Sequence, residues 1–164
     1  MDLKEFFLKQ KQAVHRGTHD VFGKIASDQL HWRPAEGMLS LGEIVRHTWM
    51  SEEGLRRVAL DGDWSYFEGR VPMGLPRFLA TLGPVESLAK EISQMENAHR
   101  ETLLRVGEFP VERWEEERNH EPFNIHRRVS VMLFGITEHQ IHHRAQVGTY
   151  LRILTGGRAS PYAL

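Results

Sequence analysis

The chain contains no cysteine. That absence removes disulfide scaffolds, iron–sulfur clusters, thiolate zinc sites and a cysteine nucleophile. An excess of charge of one sign is missing too: 21 Lys and Arg stand against 22 Asp and Glu, a formal net charge of −1. A general nucleic-acid binder presents a strongly basic face, so nucleic acid is not an expected partner. No run approaches the roughly 18 apolar residues that span a bilayer, so no membrane partner is expected either. The opening MDLKEFFLKQKQ places charge at Asp2, Lys4 and Glu5 and lacks the apolar centre of a signal peptide. A cytoplasmic location is therefore the default expectation. What is abundant is histidine, with ten in 164 residues. Any metal held by this chain must be held by nitrogen and oxygen.

Hydrophobic residues make up 40% and charged residues 26%, as in ordinary globular proteins. The length suits a single domain over residues 1–164, with enough chain to bury a core without staples. No low-complexity segment, internal repeat or long linker divides it. Periodicity predicts four helices. The first runs from about Asp2 to Ala26, with Leu3, Phe7, Val14, Val21 and Ile25 on one face. The second opens at Ser40, where Ser40 and Glu43 form a capping box, and stops near Asp61-Gly62. A loop holding Trp64, Tyr66 and Phe67 follows it. The third helix starts near Pro84 and carries Val85, Leu88, Ile92, Met95, Thr102 and Val106 at helical spacing. The polar stretch GEFPVERWEEERNHEPFN then reads as a solvated surface segment. The last helix runs from Ile125 or Arg127 to Leu154 and is closed by Gly156-Gly157. No segment shows strand alternation. The expected fold is all-α, an antiparallel four-helix bundle.

Two histidine pairs sit at i and i+4: His139 with His143, and His15 with His19. That spacing places two imidazoles one turn apart on one helix face, where they can grip one ion. Position separates the pairs. At about 100° per residue, His139 and His143 fall within the apolar stripe of Met132, Ile136, Val147, Tyr150 and Leu154. His15 and His19 fall on the flank, where a solvated polar face is the expectation. Burying two adjacent imidazoles is costly unless each has a partner, and a metal satisfies both. The bland alternative is a pair of core histidines bonded to neighbours. A third ligand must come from another helix. His47 lies at the edge of the second helix's stripe, and His99 lies on the apolar face of the third. On periodicity the two rank level.

Two motifs bear a family resemblance. The segment HWRPAEGMLSLGEIVRHTWMSE, from His31 to Glu52, resembles the W-x-P … S-x-x-E-x-x-x-H entry into the second helix of the DinB-like (DinB/YfiT) metal-binding four-helix bundles. The closing HQIHHRAQVGTYLRIL, from His139 to Leu154, is similar to that family's H-x-x-x-H-R-G-Q motif, with Ala145 where glycine is common. The resemblance implies a bundle of the DinB/YfiT metalloenzyme type in which His47, His139 and His143 form a three-histidine site for a divalent ion. His142 is then an extra histidine just off the interior face.

Three protein ligands leave an open coordination position, the pattern of a catalytic site. A neutral three-histidine set suits zinc or nickel, with iron, cobalt or manganese as alternatives. Glu43, Glu52, Glu138 and Gln146 are near in sequence. Gln146 is the best candidate to orient a ligand, while Glu138 lies too far round the helix to be a good general base. Arg144 points outward on the helical wheel. His31-Trp32 and the Trp64 to Phe67 segment either wall the site or cap the core. The expectations are a metal-dependent hydrolase, or a transferase that activates a low-molecular-weight thiol, acting on a small-molecule substrate, with homodimerisation possible through the first helix. The alternatives are a non-catalytic metal-binding or stress-response bundle and a protein-interaction bundle with structural histidines. Metal content separates the last of these from the others, and a water-filled pocket at the open coordination position separates the first two.

Overall fold

The computed structural model describes residues 2–157 and is mostly helical. In chain order it holds α1 (Leu3–Phe22), α2 (Leu41–Asp61), the short α3 (Ser65–Arg70) and α4 (Leu75–Thr81), and α5 (Leu88–Glu108). A two-stranded hairpin, β1 (Glu117–His120) and β2 (Ile125–Arg128), then leads into α6 (Val129–Leu154). No helix among the described residues is long and apolar enough to cross a membrane.

Local chemistry sets the ends. The Asp2 side chain accepts the Glu5 N–H at 2.8 Å and starts α1. The predicted capping box is in place: Ser40 Oγ accepts from the Glu43 N–H at 3.3 Å, and Glu43 Oε2 accepts from the Ser40 N–H at 2.7 Å. Gly62, at φ 70°, closes α2 in the left-handed region. The third long helix begins at Leu88 under a Ser87 cap, four residues later than Pro84 suggests, because the Ser87 side chain accepts from the Lys90 N–H.

The four long helices pack as a ring, α1 against α5 and α6, and α2 against α5 and α6. They do not alternate in direction. Arg46 pairs with Glu91 near the starts of α2 and α5, and Arg105 pairs with Asp61 near their ends, so these two helices run the same way. Phe7 meets Phe134 edge-on at 5.4 Å near the starts of α1 and α6, which also run together. The simple antiparallel expectation therefore fails for these two pairs. The chain between α2 and α5, with α3 and α4 in it, is long enough to cross from one end to the other.

Two other expectations are corrected. The polar stretch after α5 is anchored, not merely solvated: Trp114 is 1% exposed and meets Phe7 edge-on at 5.9 Å. The hairpin inside that stretch escaped the periodicity reading because its residues are almost all polar and mostly exposed, leaving no apolar alternation to detect.

The apolar core falls into two clusters. One gathers Phe7, Val58, Val106 and Leu133, and the other gathers Phe22, Ile44, Met95 and Val147. In sequence, each long helix carries a polar residue between its contributions to the two clusters: Lys11, Glu52, His99 and Gln140. These four meet in a layer across the middle of the ring. Lys11 Nζ lies 2.9 Å from Glu52 Oε1, 3.0 Å from His99 Nδ1 and 3.2 Å from Gln140 Oε1. Gln140 Nε2 donates to Glu52 Oε2 at 2.8 Å. Lys11 and Gln140 are 0% exposed and Glu52 is 1% exposed. Burial pushes the Lys11 pKa below its ordinary value, and the Glu52 carboxylate opposes that shift.

Candidate metal centre

His47 enters from α2, and His139 and His143 enter from successive turns of α6. His47 and His143 are buried, and His139 is half-buried. His47 thus turns inward, although its wheel position is at the edge of its stripe; α6 packs against that edge. The His139 Nε2 atom lies 3.1 Å from His47 Nε2 and 3.1 Å from His143 Nε2. One donor atom from each residue falls within 4.8 Å of the others. An ion bound to two imidazoles at about 2.0–2.1 Å in tetrahedral geometry separates their nitrogens by about 3.3 Å. The two 3.1 Å separations from His139 fit that requirement.

The hydrogen bonds behind the rings also fit. The His143 Nδ1–H donates to Gln146 Oε1 at 2.8 Å, which leaves the Nε2 lone pair free toward the other two rings. The Gln146 amide is oriented by donating to the Tyr150 hydroxyl at 3.2 Å. His47 Nδ1 lies 3.1 Å from Ser51 Oγ, one turn along α2. Burial, reinforced by the neighbouring histidines, pushes His47 down to about 2. Burial and His143 push His139 down to about 3, and burial pushes His143 down to about 4 against the opposing Gln146 hydrogen bond. All three imidazoles are neutral near pH 7, the form that ligates a metal.

A pH dependence follows. A histidine whose folded pKa lies below its unfolded value of 6.5 contributes stability that is full above pH 6.5. That stability is lost as pH falls toward the folded values. The metal-free protein is expected to lose urea midpoint steadily between pH 6.5 and 5, above the ordinary carboxylate range. A midpoint that stays flat or rises in that window contradicts charge-free burial of these rings.

The remaining candidates separate clearly. Gln146 is the one that bonds to a ring of the cluster. Glu138 is exposed, and Glu43 is used in the α2 cap. Glu52 bonds to Lys11 and Gln140. His99 belongs to the central polar layer, not to the three-histidine cluster; burial and the Lys11 ammonium push it down to about 2. His142 is exposed, its ring centre 4.9 Å from that of His143. Arg144 lies against Gly17 of α1 and is only half-exposed. Trp64 is buried in the core cluster, and Trp32 meets Tyr150 edge-on at 5.6 Å, so both pack the bundle.

His15 departs from its expected solvated flank. It is 5% exposed, its ring stacks on His99 at 3.6 Å, and its Nε2 lies 3.0 Å from Glu96 Oε1. His19 is half-exposed, 3.7 Å from the same oxygen. The wheel reading failed because the α1–α5 interface is itself polar, so a residue off the apolar stripe can still be covered. Sequence reasoning also missed Lys11 and its pairing with Glu52. The available signal was Lys11 at the spacing of Phe7, Val14, Thr18 and Val21, a charge set within an apolar period.

With fold and site described, the class is clear. Residues 11–147 match the sequence profile of the DinB superfamily, and the chain belongs to that superfamily. A DinB-like protein (YjoA) from Bacillus subtilis has a similar fold, with a TM-score of 0.69 at 19% identity over 91% of each chain. That likeness concerns the fold. No curated protein matches the chain.

Proposed function

We propose that this DinB-superfamily chain is a metal-dependent enzyme that transfers a low-molecular-weight thiol to a small electrophilic substrate. The observation that carries the reading is the clustering of three neutral histidine nitrogens, from His47, His139 and His143, within 4.8 Å of one another. In this reading the four long helices form a metalloenzyme bundle of the DinB/YfiT type. The three histidines would hold a divalent ion, with zinc or nickel favoured by an all-nitrogen neutral donor set. Such an ion, when bound, lowers the pKa of a coordinated thiol or water toward neutrality.

The chain's own residues divide the work. Gln146 fixes the His143 tautomer, and Ser51 supports His47. Three protein donors leave room for a substrate group. Thiol transfer is favoured over hydrolysis by the missing base. Hydrolysis benefits from a general base within hydrogen-bond reach of the attacking water. Glu52 is held by Lys11, and Glu138 is exposed. A thiol bound to such an ion would ionise near neutral pH without one. With no cysteine in the chain, that thiol must come from outside.

The test uses zinc- or nickel-loaded protein, 2-mercaptoethanol and 1-chloro-2,4-dinitrobenzene. The new bond joins sulfur to the ring carbon, chloride leaves with the bonding pair, and the thiol proton goes to solvent. The expected result is a rate that chelation abolishes and metal restores. Equal rates with and without metal would remove the thiol-transfer reading.

A further inference from the structure

Helix α3 carries a cation beside the three-histidine cluster. Tyr66 lies so close to Gly54 of α2 that no side chain would fit there, and its hydroxyl is 3.5 Å from Ser51 Oγ. Ser51 Oγ is in turn 3.1 Å from His47 Nδ1. The Tyr66 and Phe67 rings support the Arg70 guanidinium, whose central carbon lies 5.3 Å and 5.0 Å from their centres. Phe78 of α4 meets Tyr66 edge-on at 5.8 Å and completes the wall.

Arg70 is half-buried, and among the described residues its side chain has no carboxylate partner. Through Tyr66 and Ser51 it is linked to the His47 ring. A half-buried guanidinium without an anion is a poor end state, since its planar fork matches a carboxylate two-pronged.

We propose that Arg70 is the substrate's charge partner: the three-histidine site takes a small thiol that also carries a carboxylate, and Arg70 pairs with that carboxylate. The inference rests on the metal-and-thiol reading and adds its substrate class. Rings hold the guanidinium in place while leaving its N–H edge available, which a salt bridge to a protein carboxylate would not.

The test titrates cobalt-loaded protein with thioglycolate, which carries a carboxylate, and with 2-mercaptoethanol, which does not, following the visible absorption of cobalt. In Arg70→Gln, thioglycolate is expected to bind about five- to tenfold more weakly, with 2-mercaptoethanol and cobalt content unchanged. Arg70→Lys is expected to recover part of the loss. If Arg70→Gln weakens both thiols alike, Arg70 only supports the wall and the proposal fails. If neither changes, Arg70 does not meet the substrate and the proposal fails. Failure of both thiols to perturb cobalt in the unaltered protein refutes the thiol reading itself, and the substrate class with it.

Discussion

The His139→Ala variant is expected to retain its fold and lose its metal. His139 Nε2 stands 3.1 Å from each of the other two donor nitrogens, so it is the member both partners share. Removing it leaves one donor on each of two helices. Changing a group that merely orients a ligand costs about 10–100-fold in metal affinity, so loss of a donor is expected to exceed about 100-fold. The fold has little reason to respond. His139 is only half-buried, and alanine is the best helix former, within a helix of 26 residues. The measurement is metal content of untagged protein after gel filtration, with far-ultraviolet circular dichroism as the control. The contrast is His99→Ala, which disturbs the central polar layer and is expected to leave metal content intact. Unchanged metal in His139→Ala, or lost metal in His99→Ala, would reverse the ligand assignment.

The second large effect is on stability. Lys11→Met is expected to lower the Tm by roughly 10 °C. Lys11 and Glu52 form an ion pair with both side chains fully buried. Removing one member strands the other, a loss of about 3–5 kcal/mol for a buried pair. At about 2–4 °C per kcal/mol for a chain of this size, the shift is easily measured. Gln140 still donates to Glu52 in the variant, but it supplies a dipole where a charge stood. Lys11→Met combined with Glu52→Gln is expected to recover much of the loss, because no buried charge then remains. The double-variant cycle reads the coupling directly. Strictly additive losses would show that the pair does not act as a unit. Because the layer residues bond to one another and not to the three donor nitrogens, metal content per folded molecule is expected to stay constant throughout.

These two results bear on different parts of what the sequence made legible. The Ser40–Glu43 cap, the end of α6 before Gly156 and the inward-facing His139–His143 pair all follow from rules confined to one helix, and the structure holds each of them. His47 needed the family motif, since its wheel position shows only the edge of a stripe. Lys11, Glu52 and His15 were hidden for a different reason. A helical wheel ranks residues by the face they share, but not by what packs against that face. A charge within an apolar stripe looks like an interruption until the opposite charge on another helix is known. The shared direction of α2 and α5 was hidden similarly. It depends on where the intervening segment delivers the chain, and nothing in the periodicity of either helix records that. The hairpin carried no period at all.

The central claim is a metal held by three histidines with coordination left open for substrate. Anomalous diffraction from crystals of the untagged protein, collected above and below the absorption edge of the metal it purifies with, tests it most directly. The account predicts one peak about 2.0–2.2 Å from the Nε2 atoms of His47, His139 and His143, with no fourth protein ligand. A peak elsewhere, such as between His15, His19 and Glu96, or an ion closed off by a fourth side chain, would contradict it.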